Sequence, residues 1–264
     1  AQQIEAFLNR FGKKYEVDPR IHNARLMLAE SYHEGNQFSQ AVATYEAIDL
    51  THIASRNYPG LRYRMAEAQM RAGKKEAALD SFNRFITEHS GHPQVNTAIV
   101  NRAEIFLERA DSISAHKEFD RLINQPERGA QQEYAWAQKA ILYKNTIDAA
   151  ESDKIRLNAL ENFTKCHLRL LRDFPERENA KQVASHFWLG WSLYRVDRFA
   201  ECIMPFQQAR KDETGSLHRS STLHLALAHY HLQEKEELQQ ELDLLLRNYK
   251  DEQIPRPVFA WLGT

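Results

Sequence analysis

The residues most suggestive of chemistry lie in two stretches of the second half of the chain. Residues 187–209 (FWLGWSLYRVDRFAECIMPFQQA) combine two tryptophans, a glycine, a cysteine and a proline. Residues 224–231 (HLALAHYH) place three histidines close together. His224 and His231 share a helix face but lie two turns apart, about 10 Å by helix rise, and His229 points elsewhere. A metal ion needs closer ligands, so we predict no metal site.

The remaining candidates for catalysis or cofactor binding are weak. The sequence has no glycine-rich phosphate loop, HExxH or GxSxG motif, and SAHK (114–117) matches SxxK without the companion motifs. His89 and His92 lie in a connecting loop without an acidic or cysteine companion, which favours solvated side chains. Cys166 and Cys202 form no CxxC pair and are predicted to be buried thiols. We therefore expect no enzymatic activity and no cofactor.

Composition and charge argue against nucleic-acid binding and membrane insertion. Of 264 residues, 35 are Lys or Arg and 36 are Asp or Glu, so the chain offers no net field for nucleic acid or an anionic membrane. The uncharged runs of the sequence, such as residues 185–194, are too short to span a bilayer. Ala, Leu, Glu, Gln, Lys and Arg dominate, and these residues favour helices. The sequence predicts an all-α protein.

Small residues recur with a fixed period in these predicted helices. Ala29, Ala66, Ala103 and Ala140 are spaced by 37 residues. Further small residues follow twelve positions later and aromatic residues sixteen positions later, at Ala41, Ala78 and Ala115 and at Tyr45, Phe82 and Phe119. Gly190, Cys202 and Phe206 have the same offsets, so the stretch 187–209 is a further copy of a structural repeat.

This period predicts a solenoid of about six helical hairpins, in which small residues let paired helices approach and each hairpin covers its neighbour. We place the repeats near 22–58, 59–95, 96–132, 133–182, 183–219 and 220–255, with half repeats at 1–21 and 256–264. The spacing from Ala140 to Gly190 is 50, so 13 additional residues must lengthen the helices or form a loop in the fourth repeat. Both half repeats suggest a piece of a longer solenoid.

The pattern of small and aromatic positions resembles the tetratricopeptide repeat (TPR) family, and Trp136 falls where that family commonly has a tryptophan. The resemblance implies a right-handed superhelix with a concave groove that binds proteins or peptides. Two features depart from the family: the period exceeds 34 residues, and Leu227 and Gln239 occupy expected small positions in the sixth repeat. Gly263 would then begin a further helix.

The repeat register predicts a groove of aromatic and charged residues. Phe187, Trp191 and Tyr194 lie at i, i+4 and i+7 on one helix face, which is typical of interface anchors but also of a face buried by neighbouring helices. We list the predicted groove residues as Phe187, Trp191, Tyr194, Arg195, Tyr63, Glu67, Tyr134, His224 and His231.

Acidic residues recur at one position in three repeats, at Glu30, Glu67 and Glu104. This indicates either an acidic stripe for a basic or polar partner or a solvated helix face. The carboxylate clamp known in the TPR family is not reproduced, because its positions include Leu26, Glu30, Tyr63 and Glu67.

These observations favour a non-enzymatic scaffold that binds a protein or peptide. Residues 82–98 and 170–199 are similar in style to bacterial cell-envelope TPR proteins, which suggests a periplasmic or envelope location. Two alternatives stay open: a regulatory or substrate-recruiting arm of a longer enzyme or signalling protein, and a peptide-sensing regulator. Oligomeric state is not indicated.

Overall fold

A computed structural model describes residues 1–54, 58–126, 128–212, 215–249 and 254–262. Within these ranges the chain forms α-helices and one 3-10 turn (Leu50–His52), and no β-strand. The all-α prediction is therefore confirmed. The helices are α1 (Gln2–Phe11), α2 (Pro19–Glu34), α3 (Phe38–Glu46), α4 (Tyr58–Arg71), α5 (Lys75–Glu88), α6 (Val95–Glu108), α7 (Ser112–Ile123), α8 (Ala130–Ala149), α9 (Asp153–Asp173), α10 (Asn179–Tyr194), α11 (Phe199–Ala209), α12 (Ser216–Leu232), α13 (Lys235–Asn248) and α14 (Arg256–Leu262).

Consecutive helices pair as hairpins: α2 with α3, α4 with α5, α6 with α7, α8 with α9, α10 with α11, and α12 with α13. The chain forms two compact units, Ala1–Gln125 and Pro126–Thr264, and within each unit successive hairpins pack on one another. This is the packing of a helical-repeat solenoid. The right-handed superhelix and the repeat boundaries stay predictions.

The core of each unit is built on the predicted small and aromatic positions. Ala29, Ala66 and Ala103 have no exposed surface, and the aromatic residues of the same register, Tyr45, Phe82, Phe119 and Phe206, are buried. Gly190 allows the closest approach, because a Cβ there would lie 2.9 Å from the ring of Phe206. Both cysteines are buried as predicted.

The sixth repeat corrects the sequence register. Ala226, Leu238 and Leu242 are buried, whereas Leu227 is half-buried and Gln239 is exposed. Ala226 follows Gly190 by 36 residues, one fewer than the earlier spacing of 37, so the packing positions of the sixth repeat come one residue early and are not Leu227 and Gln239. Gly263 lies outside the described residues.

The 13 additional residues of the fourth repeat lengthen both of its helices. Helices α8 and α9 have 20 and 21 residues, and a three-residue connection joins them. Ser152 caps α9, with its side chain accepting a hydrogen bond from the amide of Ile155 (3.4 Å). Since α8 and α10 both pack on α9, the long hairpin positions the surface described next.

Candidate partner-binding surface

Trp191, on α10, is the centre of the predicted surface in the second unit. Its half-buried ring lies between two cations, with Lys144 Nζ 5.2 Å and the Arg195 guanidinium carbon 5.4 Å from the ring centroid. Arg195 is exposed, and Lys144 reaches Trp191 from α8. Such cation–π contacts hold the indole in place and leave part of it at the surface.

Tyr194 continues this surface one turn further along α10. Its hydroxyl lies 3.2 Å from Nε2 of the exposed His231 on α12. The His231 ring stacks on Phe199, with centroids 4.3 Å apart. Partial burial raises the pKa of the Tyr194 hydroxyl, so it is neutral at physiological pH. Tyr194 and His231 thus lie together on this surface.

Phe187 and His224 belong to the core or its margin instead. Phe187 is 6% exposed and packs 5.8 Å from Phe206 and 5.9 Å from His224. The predicted exposure of Phe187 is wrong, because Gly190, one turn away on α10, brings α11 close enough to cover it. His224 is half-buried, stacks on Phe206, and bonds the Ser220 carbonyl oxygen through Nδ1 (2.7 Å). Burial lowers the pKa of His224.

Tyr134 is half-buried on α8. Its role in binding stays a prediction.

In the first unit, the predicted exposure of Tyr63 is also wrong. Tyr63 is 5% exposed, its ring packs 5.6 Å from Phe85, and its hydroxyl lies 3.4 Å from Asn101 Nδ2. Burial raises the pKa of Tyr63. This residue holds α4, α5 and α6 together.

The repeated acids are paired with basic residues of a neighbouring first helix. Glu67 on α4 lies 3.5 Å from His33 on α2, and Glu30 on α2 lies 3.4 Å from Arg64 on α4. Glu104 also has an interaction partner. The acidic-stripe interpretation is therefore wrong for Glu30, whose charge Arg64 compensates within the fold. It stays a prediction for Glu67, because its neighbour His33 is charged only when protonated.

A pocket beside Trp191 was missed by the sequence analysis. It has a volume of about 280 Å³ and is lined by Ala137, Ala140, Ile141, Lys144 and Asn145 of α8, Phe163, His167 and Leu170 of α9, Arg177 of the following loop, and Lys181, Ala184, Ser185 and Trp188 of α10. Trp188 contacts Trp191 edge to face at 5.6 Å, so pocket and surface are continuous. The signal for it was the insertion in the fourth repeat, which lengthens α8 and α9.

His167 lies at the bottom of this pocket. It is 6% exposed, its ring packs 4.6 Å from Phe163, and within the described structure neither ring nitrogen has a hydrogen-bond partner. Burial, together with repulsion from Arg177, lowers its pKa to about 3. His167 is thus a neutral imidazole with one N–H donor and one nitrogen acceptor.

Cations line the upper part of the pocket. Arg177 is held in place by Glu133 Oε1 (2.8 Å from Nε) and Ser185 Oγ (2.8 Å from Nη1). Lys144 pairs with Asp148 at 2.6 Å, and Lys181 lies 3.8 Å from Glu178. Among the described lining residues none is acidic.

Reactive and metal-binding groups do not assemble elsewhere in the described residues. No three His, Cys, Asp or Glu side chains there cluster closely enough to hold a metal ion. The Cys202 thiol donates to the Phe199 carbonyl oxygen (3.0 Å), and burial raises its pKa to about 12, which makes it a poor nucleophile. His89 and His92 pack on Phe85, contrary to the expectation of solvated side chains.

None of the helices in the described ranges has the length and apolar composition that a membrane span requires.

Comparison with known proteins identifies the repeat class. Residues 23–49 and 61–92 match the family model described as tetratricopeptide repeat. These ranges contain most of the hairpins α2–α3 and α4–α5. The hairpins α2–α3 and α4–α5 therefore match the tetratricopeptide repeat family. Repeats of this family are generally protein-interaction modules.

Similar solved structures include a tetratricopeptide repeat protein from Parabacteroides merdae, with 14% identity and a TM-score of 0.44, covering 97% of this chain and 88% of that chain. The C-terminal part of a TPR repeat-containing protein from Cytophaga hutchinsonii has 10% identity and a TM-score of 0.40, and the match covers 90% of this chain and 99% of that chain. The TPR2AB domain of yeast Sti1, solved as a complex with pHSP90, has 12% identity and a TM-score of 0.37, and the match covers 92% of this chain and 98% of that chain. Similarity at this level does not indicate a partner for this chain. No curated protein matches the sequence significantly.

Proposed function

We propose that this protein is a non-enzymatic scaffold that binds a peptide segment of a partner protein on the face formed by α8, α10 and α12. The observation that carries the proposal is the half-buried Trp191 between Lys144 and Arg195, with Tyr194 and His231 beside it. Partly exposed aromatic rings that are already fixed in position lose little entropy on binding, and Trp, Tyr and Arg are the residues that dominate binding energies.

Helix packing supports binding without refolding. Trp191 and Tyr194 are partly buried against a core cluster that includes Leu189, Leu193 and Phe206. Their backbone is therefore held by contacts that a partner does not need to form. We retain Trp191, Tyr194, Arg195 and His231 as contact residues, and Tyr134 of α8 as a predicted but untested one. Glu67, on α4 of the first unit, stays a sequence prediction outside this face.

We further propose a role in an assembly of the bacterial cell envelope. This rests on the style of residues 82–98 and 170–199 noted above. Fractionation of the native protein tests it: recovery with periplasm or envelope supports the proposal, and recovery with cytosol contradicts it.

The binding proposal is tested by panning the full chain against a random 16-residue peptide library displayed on phage. The enriched peptides are then measured against wild type and a Trp191→Ala/Tyr194→Ala variant. We expect at least about tenfold weaker binding by the variant, since truncating such anchors removes 2 kcal/mol or more.

The matched control is Leu157→Ala/Leu168→Ala, which truncates two exposed apolar side chains of α9. It should bind like wild type, and circular dichroism should show unchanged helicity for both variants. Failure to enrich any peptide, or equal affinity for wild type and the α10 variant, would contradict the proposal.

A further inference from the structure

The pocket between α8, α9 and α10 has properties that specify one kind of occupant. Its volume of about 280 Å³ lies just below the range of sites for whole small molecules, about 300–1,000 Å³, and suits one large side chain. Apolar atoms of Ile141, Phe163, Leu170 and Trp188 form much of the lining. Burying an aromatic side chain there would remove its apolar surface from water.

His167 adds an aromatic surface to this lining. Both of its ring nitrogens have less than 1 Å² of accessible surface, so an occupant of the pocket cannot hydrogen-bond to them. The His167 ring lines the pocket together with Phe163 and Trp188, and aromatic rings pack favourably edge to face or offset against one another. These three rings favour an aromatic occupant over an aliphatic one.

The cations around the pocket favour acidic neighbours. Lys181 and its partner Glu178 are both exposed and 3.8 Å apart, and a solvent-exposed pair of this kind contributes little. A carboxylate arriving beside the pocket can therefore replace Glu178 near Lys181 at small cost. Arg177, only 7% exposed and bonded to Glu133 and Ser185, is a fixed positive group at the same side.

We infer that this pocket receives an aromatic side chain of the partner segment, with an Asp or Glu next to it in the partner sequence. The inference rests on the proposed function and narrows it to an acidic, aromatic peptide. Phe163, His167 and Trp188 contact the aromatic ring, and Lys181 selects the charge.

The test uses the peptides enriched on the wild-type chain. They should carry Phe, Tyr or Trp flanked by acidic residues, and replacing that aromatic by Leu should weaken binding about fivefold, because the contacts with the aromatic lining are lost. His167→Leu should reduce this preference. Equal affinity of wild type for the aromatic and the Leu version would overturn the inference.

Two further variants address the pocket and its charge. Ala184→Trp fills the pocket and should abolish binding, whereas the control Ala200→Trp, at an exposed position of α11, should not. Lys181→Glu changes only an exposed residue and should weaken binding of acidic peptides at least about fivefold, with a smaller difference in high salt.

The outcomes separate the two proposals. Peptides that require Trp191 and Tyr194 but tolerate both Ala184→Trp and Lys181→Glu would overturn the inference and leave the proposed function intact. Enriched peptides that are basic or lack an aromatic residue would do the same. If no peptide is enriched, the proposed function fails and the inference with it.

Discussion

At the scale of single residues, helix packing in the fifth repeat depends on the absence of a side chain at Gly190. Gly190 occupies the position of Ala29, Ala66 and Ala103, and the Phe206 ring fills the space where a Cβ would lie. The recurrence of small residues was enough to predict that this position is a contact between helices. Sequence alone did not show that this one contact excludes even a methyl group.

Gly190→Ala should lower the free energy of unfolding by about 1–2 kcal/mol. Overpacking costs about 1–3 kcal/mol, and the better helix propensity of alanine, about 1 kcal/mol, offsets part of it. Chemical denaturation measures the change. In a Phe206→Leu background the same substitution should cost less, and an equal cost in both backgrounds would contradict the proposed clash.

His167 is the second residue whose position determines a measurable property. Its pKa of about 3 in the folded protein lies below the ordinary 6.5, because burial disfavours the charged imidazolium. The unfolded chain therefore binds more protons below pH 6.5. The stability that this neutral histidine contributes is complete above that pH and is lost as pH falls toward 3.

Lowering the pH from 7 to 5 should reduce the free energy of unfolding of wild type by about 2 kcal/mol more than that of His167→Leu. Taking the difference removes the contributions of other buried histidines, among them His186 and His224. Urea denaturation at a series of pH values provides the measurement. A difference that does not change with pH would show that His167 is not buried as described.

At the scale of elements, five hairpin turns share one backbone conformation. The residue near the end of the first helix takes a positive φ in each, at Asn36, Gly73, Ala110, Asp197 and Gln233. The amide of the following residue bonds back to the helix, as Asp111 does to the Phe106 carbonyl oxygen. These positions follow the repeat spacing, so the turn is as periodic as the core. Only one of these five residues is glycine, which is the usual sequence sign of such a turn, so the conformation of these turns could not be predicted from the sequence.

Ala110→Gly should therefore stabilise the protein by about 0.5–1 kcal/mol. Alanine at a φ of 56° pays a steric cost that glycine avoids, and this gain exceeds the added entropy of the unfolded chain. Thermal unfolding tests the change. Ala72→Gly, one position before the positive-φ residue of its turn, is the control and should destabilise; stabilisation by both would contradict the explanation.

The helices themselves were largely predictable and the surface was not. Positions 29, 66, 103, 140 and 190 set the first helix of five hairpins, because close packing of two helices tolerates only small side chains there. The register failed in the sixth hairpin, where one residue fewer moves the packing position to Ala226. The exposure of Phe187 and Tyr63 depends on how closely the neighbouring helices approach them. The spacing of residues in the sequence does not give that distance.

At the scale of the whole molecule, the chain comprises two compact units built from the same helical repeat. In the first, acidic residues of successive first helices are used for internal pairs, as in Glu30 with Arg64. In the second, the long α8–α9 hairpin leaves a pocket lined by cations and by the buried His167. We therefore propose that the second unit binds the partner.

Hydrogen exchange of the full chain, with and without a peptide enriched on it, tests this assignment most directly. We expect bound peptide to slow exchange of amides in α8 and α10, and we expect α2, α4 and α6 to exchange as in the free protein. Slowed exchange confined to the first unit, with α8 and α10 unchanged, would contradict it.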